Sequence, residues 1–302
     1  MGVLDLAVAR LLPAVPRRVV RQLSSPYIAG PTLDDARRTV ASLNAGGKLA
    51  TVDVLGEEIT QPHEAEAIAA QYHEVLEAIE LDRLDANLSV KLTGLGLKLD
   101  LGLCRRLLEG LAAAAAARGR FVRIDMEDSS CTDDTLALYR ELRGAGHDNV
   151  GIVLQACLKR TMADIADLRD LRPNVRLCKG IYVEPAGIAF RGDGTIRRSF
   201  VACLDALLAG GSRVAVATHD EWLLQESIQR LQDLGPDGYE LQMLLGVRER
   251  RASELVAQGH RLRVYVPFGQ RWYEYSLRRL QENPRMAGIV ARATVGRLVG
   301  RG

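Results

Sequence analysis

Eight short runs rich in Val, Ile and Leu recur along the 302-residue chain, about 30 residues apart, with helix-patterned stretches between them. In order they are LATVDVLG from Leu49, ANLSVKLTGLG from Ala86, RFVRIDMED from Arg120 and VGIVLQAC from Val150. RLCKGIYVEP from Arg176, RVAVATHD from Arg213, YELQMLLG from Tyr239 and LRVYVPFG from Leu262 follow. They read as nearly continuous apolar segments rather than alternating ones, as parallel strands covered on both faces do. Eight strand-plus-helix units of this size make a TIM-type (β/α)8 barrel of the α/β class. Residues 46–302 are therefore expected to form the barrel and residues 1–45 an N-terminal helical arm.

Helices are expected over Pro62–Leu84 and Leu99–Arg118, and then after Thr132, Thr161, Thr195, Asp220 and Glu249, several of them behind residues suited to an N-cap. The last expected helix, Gln270–Glu282, carries chemistry. Tyr275, Arg278, Arg279 and Glu282 stand at i, i+3, i+4 and i+7 and share one side. Two neighbouring guanidiniums suit a carboxylate or phosphate held between them. A solvated face, with Glu282 answering Arg278, accounts for the same spacing equally well.

The strand ends tip that balance. In a (β/α)8 barrel the active site is built at the C-terminal ends of the strands. Those ends carry Lys91, Asp125, Gln155, Arg176, Lys179, Tyr182, Thr218, His219, Leu244 and Tyr265. Charged groups gathered at one mouth are costly to bury unless they pair or meet a ligand, so a catalytic or binding mouth is the better reading. There is no GxGxxG opening a helix and no GxxxxGK[ST], hence no support for a Rossmann unit or a P-loop. With five histidines, and only His219 at a strand end, no metal site is expected. A Schiff-base enzyme using Lys91 or Lys179 as its amine remains open, as does a non-catalytic binding barrel.

Composition narrows the partners. Forty basic and 38 acidic residues give a net charge of +2, which points to neither nucleic acid nor an anionic membrane. Cys104, Cys131, Cys157, Cys178 and Cys203 are odd in number and contain no CxxC, as expected of reduced thiols in a cytoplasmic protein, with Cys157 and Cys178 buried in strands. No signal peptide is expected, because Asp5, Arg10, Pro13 and Pro16 interrupt the apolar start. The arm either packs under the barrel, the commoner use of such a helix, or touches a membrane surface through Leu4, Leu6, Leu11 and Leu12 beside Arg10, Arg17, Arg18 and Arg21.

Taken together and in order, SVKLTGLG, RIDMED, QACLKR, RLCKGIYVEP, VATHD, QMLLG, RVYVPFG and YSLRRLQEN resemble the proline dehydrogenase family from about Leu49 to Pro284. These are flavoenzymes with an FAD-binding (β/α)8 barrel, and the short basic arm is similar to the bacterial monofunctional branch. The resemblance implies oxidation of L-proline to Δ1-pyrroline-5-carboxylate, with electrons passed to a membrane quinone and the protein cytoplasmic or peripheral on the inner face of the plasma membrane. It implies that Arg278 and Arg279 clamp the proline carboxylate and that Lys91, Tyr182, Leu244, Tyr265, Tyr275 and Glu282 surround the substrate. Asp125 and Arg176 match catalytic positions, while Met126, Gln155, Arg176, Lys179, Gly180, Ile181, Thr218 and His219 match FAD-contacting ones. Ile181 departs from the family's usual small residue and Leu245 from a common tyrosine, whereas Tyr265 keeps the bulk that disfavours hydroxyproline.

Overall fold

The computed structural model describes residues 20–21, 24–56, 59–235, 238–273 and 275–276. Strands β1 (Leu49–Val54), β2 (Ala86–Val90), β3 (Val122–Ile124), β4 (Val150–Gln155), β5 (Asn174–Cys178), β6 (Arg213–Ala217), β7 (Tyr239–Leu244) and β8 (Leu262–Phe268) close into one barrel in sequence order. Every neighbouring pair is parallel, including β8 back against β1. Each strand falls within one of the eight expected runs except β5, which begins two residues earlier, at Asn174.

Helix α1 (Leu33–Ala45) precedes the barrel, and α2 (Pro62–Leu81), α3 (Leu101–Ala117), α4 (Thr132–Gly144), α5 (Thr161–Asp167), α6 (Asp193–Ala209), α7 (Glu221–Leu231) and α8 (Glu249–Ala257) alternate with the strands. Their starts have local causes. Thr32 and Asp35 form a reciprocal capping box at α1, and the side chains of Asp100 and Asp220 accept the orphan amides of α3 and α7. Helix α2 stops at Leu81, three residues short of the expected end, because the chain turns through Arg83 at a left-handed φ of 52°. Helix α1 lies against β1 and β8 and buries Ala36 and Val40. Residues 1–19, which hold every residue named for a membrane contact except Arg21, lie outside the described residues.

The strands do not read as expected on their two faces. Outward positions such as Val52, Leu88, Ile124, Ile152, Leu177, Val216, Leu241 and Val264 are apolar and fully buried under the helices. Inward positions are largely polar. In-register partners share a face, and the rows Asp53↔Ser89↔Arg123↔Gly151 and Val153↔Arg176↔Ala215↔Glu240 run round the lumen. Asp53, Ser89, Arg123, Arg176, Glu240, Gln242 and Arg263 are all buried there. The usual barrel interior is a stack of branched aliphatic side chains; here it is a hydrogen-bonded polar column. Gly151 makes room for it, since a Cβ at that position would lie 2.5 Å from the Arg123 guanidinium.

The cysteines are reduced, and two depart from expectation. Cys157 is buried but sits in the turn after β4, and Cys178, the last residue of β5, is only partly buried.

Candidate active site

A cavity of about 280 Å3 opens at the C-terminal ends of the strands. Lys91, Asp125, Met126, Gln155, Arg176, Lys179, Gly180, Ile181, Tyr182, Thr218, His219, Leu244, Tyr265 and Tyr275 all line it. These are all of the sequence-expected site residues that fall within the described chain. Arg278, Arg279 and Glu282 lie outside the described residues.

The floor of this cavity is an ion-pair network drawn from six of the eight strands and their ends. The carboxylate of Asp125, just past β3, accepts from Arg176 Nη1 at 2.7 Å, from Ser89 Oγ at 2.7 Å and from the Tyr265 hydroxyl at 3.1 Å. Arg176 is fixed from its other side, donating through Nε to Gln242 Oε1 at 2.5 Å. Lys91 donates to Asp53 Oδ2 at 2.7 Å and to the Tyr265 hydroxyl at 3.0 Å. Tyr72 Oη, from α2, lies 3.2 Å from Asp53 Oδ1 and donates to Ser89 O at 2.7 Å. Tyr265 thus stands between two cations, its ring centroid 5.7 Å from Lys91 Nζ and 5.5 Å from the Arg176 guanidinium carbon. Burial and the Asp53 carboxylate push its phenol well above the ordinary range, so it works as a neutral hydrogen-bond relay.

The opposite wall is built from loops. Lys179 donates to Asp220 Oδ2 at 2.6 Å, and Arg197 of α6 forks onto both oxygens of the same carboxylate at 2.8 and 3.0 Å. Burial alone would raise the Asp220 carboxyl, but the Arg197 and Lys179 hydrogen bonds outweigh it and hold it at about 2. His219 Nε2 accepts from the Leu244 amide at 2.9 Å, which places the ring proton of a neutral imidazole on Nδ1. Gln155 donates to Glu127 O at 2.9 Å, and Glu127 in turn accepts from the amide and hydroxyl of Thr93.

Gly180 has a cause that its sequence position did not reveal. Its φ is +94°, and a Cβ there would lie 2.3 Å from Cys157 Sγ and 3.0 Å from Gln155 Oε1. The close approach that demands glycine is to the β4 turn. Ile181 stands at the rim, 49% exposed, and does not fill the cavity.

Sequence reasoning missed Asp53, Ser89 and Gln242 as functional partners. Asp53 carried a usable signal, a lone carboxylate near the end of the first apolar run. The roles of Ser89 and Gln242 depend on barrel closure, which brings β2 and β7 within reach of β5. Both mouth lysines lie in ion pairs with carboxylates, unlike the amine nucleophile of a Schiff-base enzyme, which is freed by an apolar pocket or a neighbouring cation. Among the described residues no group of His, Cys, Asp and Glu is arranged to hold a metal, and no helix is long and apolar enough to cross a membrane.

The family model described as proline dehydrogenase matches residues 36–292. Proline dehydrogenase 1 of Bacillus subtilis strain 168 is 38% identical over 266 residues, covering 87% of this chain and 88% of that one. The proline dehydrogenase of Deinococcus radiodurans is 35% identical over 300 residues, covering 96% and 95%. Among solved structures, proline utilization A of Bdellovibrio bacteriovorus, inactivated by N-propargylglycine, superposes with a TM-score of 0.81 at 23% identity. That match covers 91% of this chain but 36% of the other, so it speaks to the barrel fold alone.

Proposed function

The chain belongs to the proline dehydrogenase family and is an oxidoreductase of proline catabolism, and from that premise we propose how its barrel mouth performs the reaction. The family is flavin-dependent, and we infer that the cofactor here is FAD, held along Met126, Gln155, Arg176, Lys179, Gly180, Ile181, Thr218 and His219. The cavity fits such a group in one specific respect. Arg176 Nη2 is buried and has no hydrogen-bond partner, leaving a cationic donor for the polar edge of a flavin ring. When bound, the flavin supplies the hydride acceptor for proline C5, giving Δ1-pyrroline-5-carboxylate, and hands the electrons to a membrane quinone.

The protein's own part is placement and charge. Asp125 and Gln242 hold the Arg176 guanidinium in one orientation, so its positive charge is available where negative charge develops, without reorganisation. Lys91, anchored by Asp53, presents a second cation, and Tyr265 fixes the distance between the two networks. Tyr265, Tyr275, Tyr182 and Leu244 would enclose the pyrrolidine ring. Arg278 and Arg279 would clamp its carboxylate, and Glu282 lies one turn further along the same expected helix face. Electron delivery to a quinone brings the protein to the inner face of the plasma membrane as a peripheral contact.

The observation that carries this reading is the Arg176–Asp125–Tyr265–Lys91 network, with its one open donor, at the mouth of a family-matched barrel. The test is spectroscopic. Purified protein should show a flavin absorption spectrum that bleaches when proline is added without oxygen. A colourless protein that takes up no FAD, or a bound flavin that proline leaves oxidised, would overturn it.

A further inference from the structure

The polar column has a lower end. Beneath the Arg176 layer, toward the N-terminal ends of the strands, lies a second cavity of about 210 Å3. Its wall includes Thr51, Arg123, Arg213, Glu240, Arg261 and Arg263. Five guanidiniums, Arg176 from the layer above among them, line this cavity with one carboxylate, Glu240. That carboxylate is already committed, with Glu240 accepting from Arg263 Nε at 2.7 Å, Arg263 Nη2 at 2.9 Å, Gln242 Nε2 at 2.6 Å and Arg261 Nε at 3.4 Å.

Arg123 therefore has no acidic partner in hydrogen-bond contact. Its guanidinium donates to Ile152 O, Asn174 O and Asn174 Oδ1, all neutral, while the residue is 5% exposed. Burial, with Arg176 close by, pulls this group down to about 9, outweighing the attraction of the Glu240 and Asp125 carboxylates nearby. Arg213 has no ion-pair partner among the described residues and stands at the exposed edge of the cavity, at the start of β6. A second observation points the same way. Thr51 lines the cavity, is 2% exposed, and its Oγ1 has no hydrogen-bond partner. Buried hydroxyls are seldom left so.

We propose that the lower end of the barrel lumen is a binding site for a small tetrahedral oxyanion, phosphate or sulfate, held by Arg123, Arg213 and the Thr51 hydroxyl. Converging N–H and O–H donors with an excess of positive charge are what such an anion requires, and a cavity of about 210 Å3 admits it with a few waters. The site lies below the proposed flavin and proline positions, and Arg176 and Gln242 form the wall between the two.

The test uses the flavin-loaded enzyme titrated calorimetrically with sodium phosphate, sodium chloride being adjusted to hold ionic strength constant. The expected result is saturable binding of one phosphate per chain, displaced by sulfate. Arg213→Ala, at the exposed edge, should weaken it about tenfold or more, roughly 1.4 kcal/mol. Thr51→Val should also weaken it while leaving melting in chloride alone unchanged or higher, because it removes an unsatisfied buried hydroxyl. Heat that does not saturate, affinity equal in wild type and both variants, or binding of glycerol phosphate but not inorganic phosphate would each overturn the proposal.

Discussion

At the scale of single residues, the mouth is governed by a few buried charges whose partners are specific. Asp53 is fully buried and its salt-bridge partner Lys91 is nearly so. Asp53→Asn keeps the shape but leaves the ammonium without its carboxylate, and breaking a buried pair from one side costs about 3 to 5 kcal/mol. Chemical denaturation should register that loss, and the proline KM should rise as Lys91 loses its anchor. Arg279→Ala tests the other end of the substrate. It should raise the proline KM strongly while flavin content stays that of the wild type; loss of flavin instead would reassign that arginine. Hydride loss from C5 draws on the amine lone pair, so the rate of flavin reduction at fixed proline should climb with pH through the amine's titration range, and a flat profile would show that the ammonium form reacts.

At the scale of elements, loops and caps set the site as much as strands do. Asp220 caps α7 and answers both Lys179 and Arg197. Its folded carboxyl is held at about 2, below the ordinary 3.8, so its contribution to stability is complete above 3.8 and disappears as pH falls toward 2. Asp220→Asn should therefore be less stable than wild type at pH 5, and denaturant midpoints should converge near the acid end of that range. Gly180→Ala combines left-handed strain with a collision against Cys157 Sγ. It should lower both melting temperature and flavin occupancy, and Cys157→Ala in the same chain should recover part of each.

The order and spacing of the strands were legible because parallel strands under helices need apolar outward faces, and those faces supplied all eight runs. The alternation was less visible. In RFVRIDMED it is plain once Arg123, Asp125 and Glu127 are taken as one face, but in LATVDVLG and YELQMLLG one or two polar residues are diluted by aliphatic neighbours. Pairings such as Arg176 with Gln242, two strands apart, follow from barrel closure and tilt, and no local pattern encodes them.

At the scale of the whole molecule, the polar lumen changes where stability comes from. The aliphatic core lies in the layer between strands and helices, while the lumen holds buried ions whose desolvation nearly cancels their attraction. Ligands that complete the lumen should stabilise the fold by mass action. Removing flavin should thus lower the melting temperature, and restoring FAD at about 100 times its dissociation constant should return about 2.7 kcal/mol.

Arg176 and Gln242 belong to the walls of both cavities, and Gln242 also binds Glu240 below. Most barrels keep chemistry at one face and durability at the other, so that selection can adjust either without disturbing its counterpart. In this chain a single ring of side chains serves both. A substitution among the arginines at the lower face is thereby expected to reach the Arg176 guanidinium at the mouth, and to leave its trace in turnover as well as in heat tolerance.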